Sequence, residues 1–274
     1  MIPTAVVGVG QTHHKSRRRD VSFGGLVREA VFRALDDAEM TMSDIDAVVL
    51  SHAHLDHSGW LPGLVKAGFR GPILCSPATR DLAEVMLLDS AHLQEEDARR
   101  ANRRGFSRHE KALPLYTRRD AQRAIAAMRP LPPGRGHALG DVQLQLTPVG
   151  HLLGACAVSL TRDGQTLAFS GDVGRDADLL MPPPQPLARA DVLIVESTYG
   201  DRVHPSGDPG AALAPIVREA TLAANPKISE ILAPVFASLT RETLQDLNAQ
   251  IQVEGLPART VAQDYLRSKG FLAK

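Results

Sequence analysis

Four apolar runs in this chain each stop at a side chain that binds metals well, and that pattern limits the folds open to it. AVVLS (47–51) is followed by His52, VQLQLTPVG (142–150) by His151, TLAFSG (166–171) by Asp172 and DVLIV (191–195) by Glu196. Short runs rich in β-branched residues read as strands. Strands in a layered sheet structure end along a common edge, so side chains far apart in sequence can meet there. The first run leads into HAHLDH, which crowds His52, His54, Asp56 and His57 into six residues. At i, i+2 spacing in extended chain, His52 and His54 project to one side and can share an ion. Asp56 and His57 follow on the turn into a helix and can face a second ion beside it. Imidazole with carboxylate suits zinc, with manganese or iron as alternatives. A histidine-rich surface loop would explain a lone HxH. It does not explain the further His151 and SGD strand ends, because unpaired polar groups at a buried edge cost about 1–3 kcal/mol each.

The 274 residues suffice for one large or two modest domains with a real core. Lys+Arg and Asp+Glu are balanced at 31 each, so no global field draws the chain to nucleic acid or membrane, and a polyanion site must be local. Two cysteines, Cys75 and Cys156, make no disulfide framework and point to a reducing compartment. MIPTAVVGVGQT lacks a secretory pattern, and no run approaches the roughly 18 apolar residues of a membrane span. The expectation is a cytoplasmic protein with no membrane contact. No protein partner can be inferred.

Along the chain, 5–10 reads as a strand ending in a glycine turn, and 21–40 as a helix with Leu26, Ala30, Val31, Ala34, Leu35 and Ala38 on one face. Ser43 reads as a cap before a strand over 45–50. PILCS (72–76) is a short strand. A long helix spans 77–105 with Ala83, Met86, Leu87 and Ala91 inward, and another spans 117–128, closed by the turn RPLPPGRG. Strands follow at 142–150, 155–163, 165–171 and 191–197. From about residue 209 the pattern is helical throughout, with helices over 211–224, 228–239, 240–252 and 258–270, and Thr240 as a cap.

SHAHLDHSGWLP, the PILCSPATRDLAEVMLLDSAHLQEEDARRANRRG run, GHLLGA, FSGDVGR and ESTYGDRVHP together resemble the metallo-β-lactamase fold, and more narrowly its β-CASP branch of RNA-processing nucleases. The resemblance covers about residues 45–218. It implies an α/β fold, an incomplete αββα sandwich carrying an added all-helical C-terminal tail. It implies two zinc ions: His52, His54 and His151 on one, Asp56 and His57 on the other, and Asp172 bridging both. Asp56 and Glu196 are the candidate catalytic residues, Glu196 as the acidic residue of ESTYGD that supports the site. The implied chemistry is hydrolysis of RNA or another phosphodiester by metal-activated water. A thioester or lactam hydrolase is the alternative within the fold, since HxHxDH is shared across those branches; ESTYGDR argues against it.

Residues 1–44 depart from that pattern and resemble the N-terminus of sterol-carrier-type thiolases, without a thiolase's catalytic cysteines or histidines. Gly8-x-Gly10 fails as a dinucleotide fingerprint because His13 stands at the third glycine position. Residues 219–274 resemble the C-terminal helices of a glycine-betaine or osmoprotectant binding protein, whose aromatic cage would have to come from Phe236, Tyr265 and Phe271. The family's cap and its two late histidines have no counterpart, which implies impaired ribonuclease activity. The further alternative is a chimeric or truncated, non-catalytic chain with a vestigial metal site. His204 reads as a solvated loop residue rather than a substitute proton donor. His13, His14, Lys15, Arg17, Arg18 and Arg19 form one basic run, and Arg99, Arg100, Arg103, Arg104 and Arg108 a second. The first is expected to be solvated; the second can serve as a charged helix end or touch a phosphate backbone. Cys156 is expected as a small buried residue opening a strand, and Trp60 as packing under the metal loop.

Overall fold

A computed structural model of the protein describes residue 12 and residues 23–107, 110–176, 178, 180–198, 225–252 and 254–272. The expected strand at 5–10, the basic run at 13–19, Arg108, His204 and the expected helix at 211–224 lie outside the described residues.

Two sheets face each other. The first is parallel, in the order β1 (Val48–Val49), β2 (Ile73–Cys75) and β3 (Met128–Pro130). Parallel neighbours need helical crossovers. Here they are α2 (Leu55–Ser58) with α3 (Leu61–Lys66), and then α4 (Pro77–Arg104) with α5 (Arg118–Ala127). The second sheet runs β4 (Gly136–Leu139), β5 (Val142–Pro148), β6 (Cys156–Arg162), β7 (Gln165–Phe169) and β8 (Val192–Ile194). Its first four strands are antiparallel, and β8 joins β7 in parallel. The β6–β7 hairpin turns on Asp163-Gly164, both at positive φ (50° and 78°), the Asp-Gly chemistry that a two-residue hairpin selects.

Alternation in β5 sets which face is inside. Leu144 and Leu146 are fully buried while Gln143 and Gln145 are exposed. The two leucines pack with Leu74, Cys156 and Val158 between the sheets. A larger cluster lies on the outer face of the parallel sheet and includes Trp60, Phe69, Leu87, Tyr116 and Ile125. α1 (Phe23–Asp37) packs on that cluster through Val27, Val31, Phe32 and Leu35. The stripe expected from sequence is therefore rotated: Val31 and Leu35 belong to it, but Val27 and Phe32 take the places read for Leu26 and Ala30. Val27, Val31 and Leu35 lie at i, i+4 and i+8 in one row of the helix, and Phe32 beside them buries more area than Ala30 can. At the C-terminal end, α6 (Ile228–Ser238), α7 (Arg241–Gln252) and α8 (Ala258–Ser268) follow. Ile251 and Val261 bury against Ala78 at the start of α4 and Leu153. Thr240 caps α7 as expected, accepting from Thr243 N at 3.2 Å.

Three local readings are corrected. The cap after α1 is Thr41 rather than Ser43: Thr41 N and Oγ1 both donate to Asp44 Oδ2 at 2.7 Å around one 3-10 turn, Met42–Asp44. Among the described residues, the strand expected over 45–50 pairs only over Val48–Val49. RPLPPGRG is no plain turn; it carries the end of β3, where Pro130 is tolerated because, among the described residues, β3 is an edge strand of its sheet. Cys156 opens β6 and is buried, as is Cys75 in β2, and burial pushes both thiols up to about 12. Among the described residues no helix is long and apolar enough to cross a membrane.

Truncating Leu146 to alanine should cost about 2–5 kcal/mol in urea unfolding, the range for a fully buried leucine in a packed core. The thiols act through pH. The folded state favours protonated Cys75 and Cys156, so their contribution is intact below the unfolded value of 9.0 and is lost as pH rises from there toward about 12. Urea midpoints should fall across that window, and a Cys75→Ala/Cys156→Ala double variant should show a shallower fall.

Candidate metal centre

The segment after β1 is held as a stiff loop. Leu50 N donates to Leu74 O at 2.8 Å, and Ser51 O accepts from Cys156 N at 3.0 Å, so the edge of one sheet is tied to the first residue of a strand in the other. Ser58 Oγ donates to Ala53 O at 2.9 Å, and the amides of His57 and Ser58 donate to His54 O, closing the single turn of α2. His52 is thereby fully buried, while the Asp56 side chain remains 53% exposed at the mouth.

His151 occupies the loop between β5 and β6, closed by Val149 N donating to Ala155 O at 3.1 Å. Gly150 has φ +64°, and a Cβ there would collide with Pro182 O. A Cβ at Gly174 would collide with Gly150 O, and Gly174 N donates to Val149 O at 2.8 Å. The segment after Asp172 is thus pressed directly onto the His151 loop at Gly174, while Gly150 is needed for its left-handed turn and for the approach of Pro182. Glu196 holds the same segment from the β8 side. Its Oε1 accepts from Val173 N at 3.1 Å, its Oε2 from Thr198 N at 2.9 Å, and its own N–H donates to Ser170 Oγ at 3.0 Å. Burial raises the Glu196 carboxyl, but the hydrogen bonds from Val173 and Thr198 outweigh it and hold the group below its ordinary range.

These constraints bring the separated side chains together. His52 Nε2 and His151 Nε2 each lie 3.1 Å from His54 Nδ1. Asp172 Oδ2 lies 3.7 Å from His52 Nε2 and 3.5 Å from His151 Nε2. The other carboxylate oxygen, Oδ1, is 3.3 Å from His57 Nε2, which is 3.7 Å from Asp56 Oδ2. Two donor sets result, His52–His54–His151–Asp172 and Asp56–His57–Asp172, each with its atoms within 4.8 Å of one another. A tetrahedral cation with bonds of about 2.0–2.1 Å needs neighbouring donors about 3.3 Å apart, and the separations in the first set bracket that value. The donors fit a metal ion.

Ser51 Oγ lies 3.1 Å from His52 Nδ1, which occupies that nitrogen and leaves Nε2 for the centre. His52 is pushed down to about 3, first by burial and then by the neighbouring His57, His151 and His54. Burial also lowers His151, against the pull of the Asp172 carboxylate. Both rings are therefore neutral and able to donate a lone pair at ordinary pH. A cavity of about 420 Å³ opens beside His57 and Asp172, walled by Val49, Val158, Phe169 and Ile194. Trp60 is buried in the cluster behind the metal loop. The basic residues of α4 are not at the centre. They lie at the far end of a 28-residue helix, about 40 Å along its axis, with Arg99 and Arg100 paired to Glu96 and Asp97. Sequence reasoning passed over Ser51, Ser58, Gly150, Gly174 and Ser170; their one visible signal was small residues flanking each ligand.

The metallo-beta-lactamase superfamily model matches residues 21–229. A second model, for the substrate binding domain of the ABC-type glycine betaine transport system, matches residues 203–268. Among curated proteins, the chain is 36% identical over 161 residues to Ribonuclease TTHA0252 of Thermus thermophilus, covering 59% of this chain and 33% of that one. It is 32% identical over 216 residues to Transcription termination factor FttA of Methanocaldococcus jannaschii, covering 76% and 31%. It is 30% identical over 184 residues to Probable RNase MJ4 of the same organism, covering 66% and 39%. The chain therefore spans about a third of the length of these relatives.

The acid side of the stability profile tests the buried imidazole. With its pKa depressed in the fold, His52 contributes stability that is present above 6.5 and lost as pH falls toward about 3. Chelator-treated protein should show urea midpoints that fall from pH 7 to pH 4, and His52→Asn should remove about one proton from that dependence. Equal slopes in the two proteins would contradict the assignment.

Proposed function

The chain belongs to the metallo-beta-lactamase superfamily, and we propose that its centre is a dinuclear zinc site of the β-CASP type that hydrolyses phosphodiesters, with RNA as substrate. The observation that carries this reading is the division of Asp172. One oxygen faces the three-histidine set and the other faces His57, so a single carboxylate can serve two adjacent cations. Mixed imidazole and carboxylate donors suit zinc, with manganese or iron as alternatives. The names of the relatives, two of them ribonucleases, support RNA.

His52, His54, His151 and Asp172 would hold a first ion, and Asp56, His57 and Asp172 a second. Bound zinc would supply Lewis acidity to the phosphate and lower the pKa of the attacking water. Asp56 faces solvent at the mouth, where its free carboxylate oxygen can take the proton of that water. Glu196 is the organiser: it fixes Val173 and so the direction in which Asp172 points.

Two other readings have an observation behind them. The apolar cavity beside His57 and Asp172 would suit the acyl part of a thioester or lactam. The glycine betaine model over 203–268 supports a composite chain at the C-terminal end alone, since the metallo-beta-lactamase model already starts at residue 21. Metal analysis of purified protein should find about two zinc ions per chain; below half an equivalent, the composite reading wins. Short RNA and a generic phosphodiester should be turned over, with a thioester and a β-lactam as comparison substrates. Asp56→Ala and His151→Ala should each lower RNA cleavage by at least about a hundredfold. Retained cleavage in both variants would place the chemistry elsewhere.

A further inference from the structure

A cluster of buried hydroxyls stands behind the metal centre, in contact with none of its donor atoms. Ser76 caps α4 and accepts from Thr79 N at 3.2 Å. Its Oγ also lies 2.7 Å from Gly154 O, and Thr79 Oγ1 lies 2.8 Å from the same carbonyl. The two hydroxyl oxygens are 2.9 Å apart, and Cys156 Sγ approaches Gly154 O at 3.3 Å as a weaker donor. Ser76 is 2% exposed and Thr79 not at all, so water does not compete for these groups. A Cβ on Gly154, whose φ is +85°, would collide with Thr79 N, and would come within 2.6 Å of Ser76 Oγ.

Gly154 closes the loop that carries His151. The backbone of that loop is pinned at its other end by the Val149–Ala155 hydrogen bond and by the glycine contact with the Asp172 segment. Leu153 between them packs on Ala78, Ile251 and Val261, which presses the loop against the first turn of α4. A capping serine needs one hydrogen bond to the helix, and its second bond, to a chain segment 78 residues away, does nothing for the helix. The threonine hydroxyl spends its proton on the same carbonyl. Two side chains on one helix turn therefore specify where a remote backbone oxygen sits.

We propose that Ser76 and Thr79 are positioning residues for the metal centre: they fix the Gly154 carbonyl and, through the 151–154 turn, the direction of the His151 imidazole. This rests on the reading of His151 as a metal ligand. Because orienting groups outside the ligand set change metal affinity by about 10–100-fold, the effect is measurable without turnover.

The test is zinc affinity by competition with a chromophoric chelator, on full-length protein shown to be folded by circular dichroism. Thr79→Val keeps the shape and removes the hydroxyl, and should weaken the tighter zinc site by about 10–100-fold. Thr79→Ser keeps the hydroxyl and should bind within about threefold of the unsubstituted protein. In a His151→Ala background, Thr79→Val should add less than about twofold, since the ligand it orients is gone. Leu87→Ala, a core truncation on the next turns of the same helix, should lower the melting temperature and leave zinc affinity unchanged. Should Thr79→Val fail to fold, Ser76→Ala gives the same readout. Unchanged affinity in the hydroxyl-less variant, a loss equal to that of Leu87→Ala, or full additivity with His151→Ala would overturn the clamp alone. No zinc binding by the unsubstituted protein would overturn the metal centre and the clamp with it.

Discussion

The whole centre depends on a few hydrogen bonds that tie strand-end loops to one another, one of them across the two sheets. Cys156 N to Ser51 O joins the sheets beside His52, Gly174 N to Val149 O joins the Asp172 segment to the His151 loop, and Val173 N to Glu196 fixes that segment from β8. Each bond is modest, about 0.5–1.5 kcal/mol net. Their value is geometric: together they fix three loops that would otherwise drift independently, and donor atoms must sit within a few tenths of an ångström to share an ion.

Once these loops are fixed, burial and charge follow. Burial, and after it the three neighbouring imidazoles, hold His52 neutral at ordinary pH. Its neutral ring is the form a metal requires. The carboxylates divide by environment. Asp56 stays exposed at the mouth, while Glu196 accepts from two backbone amides. Two acidic residues that look equivalent in sequence thus sit in different environments.

Much of this was legible in the chain. The helix at 77–105 showed an apolar stripe and that at 117–128 a proline-rich stop, and the structure places them at Pro77–Arg104 and Arg118–Ala127. The strands from 142 to 171 alternate or run apolar between clear turn residues, and they occur where expected. What failed was local and edge-dependent. β3 hides in a proline-rich stretch because edge position, which a sequence does not announce, is what excuses Pro130. The buried face of α1 was partly misread because the row Leu26, Ala30, Ala34 and Ala38 runs beside the row Val27, Val31 and Leu35 that packs inward.

By itself the sequence determined the fold class and the chemical types at four strand ends, because apolar periodicity and ligand type are properties of neighbouring residues. The tertiary structure decided how those ends meet: which oxygen of Asp172 faces which histidine, why Gly150 and Gly174 must lack side chains, and how Ser76 and Thr79 reach the loop of His151. Those facts depend on contacts between segments tens of residues apart, and no local pattern encodes the distance at which two loops come to rest.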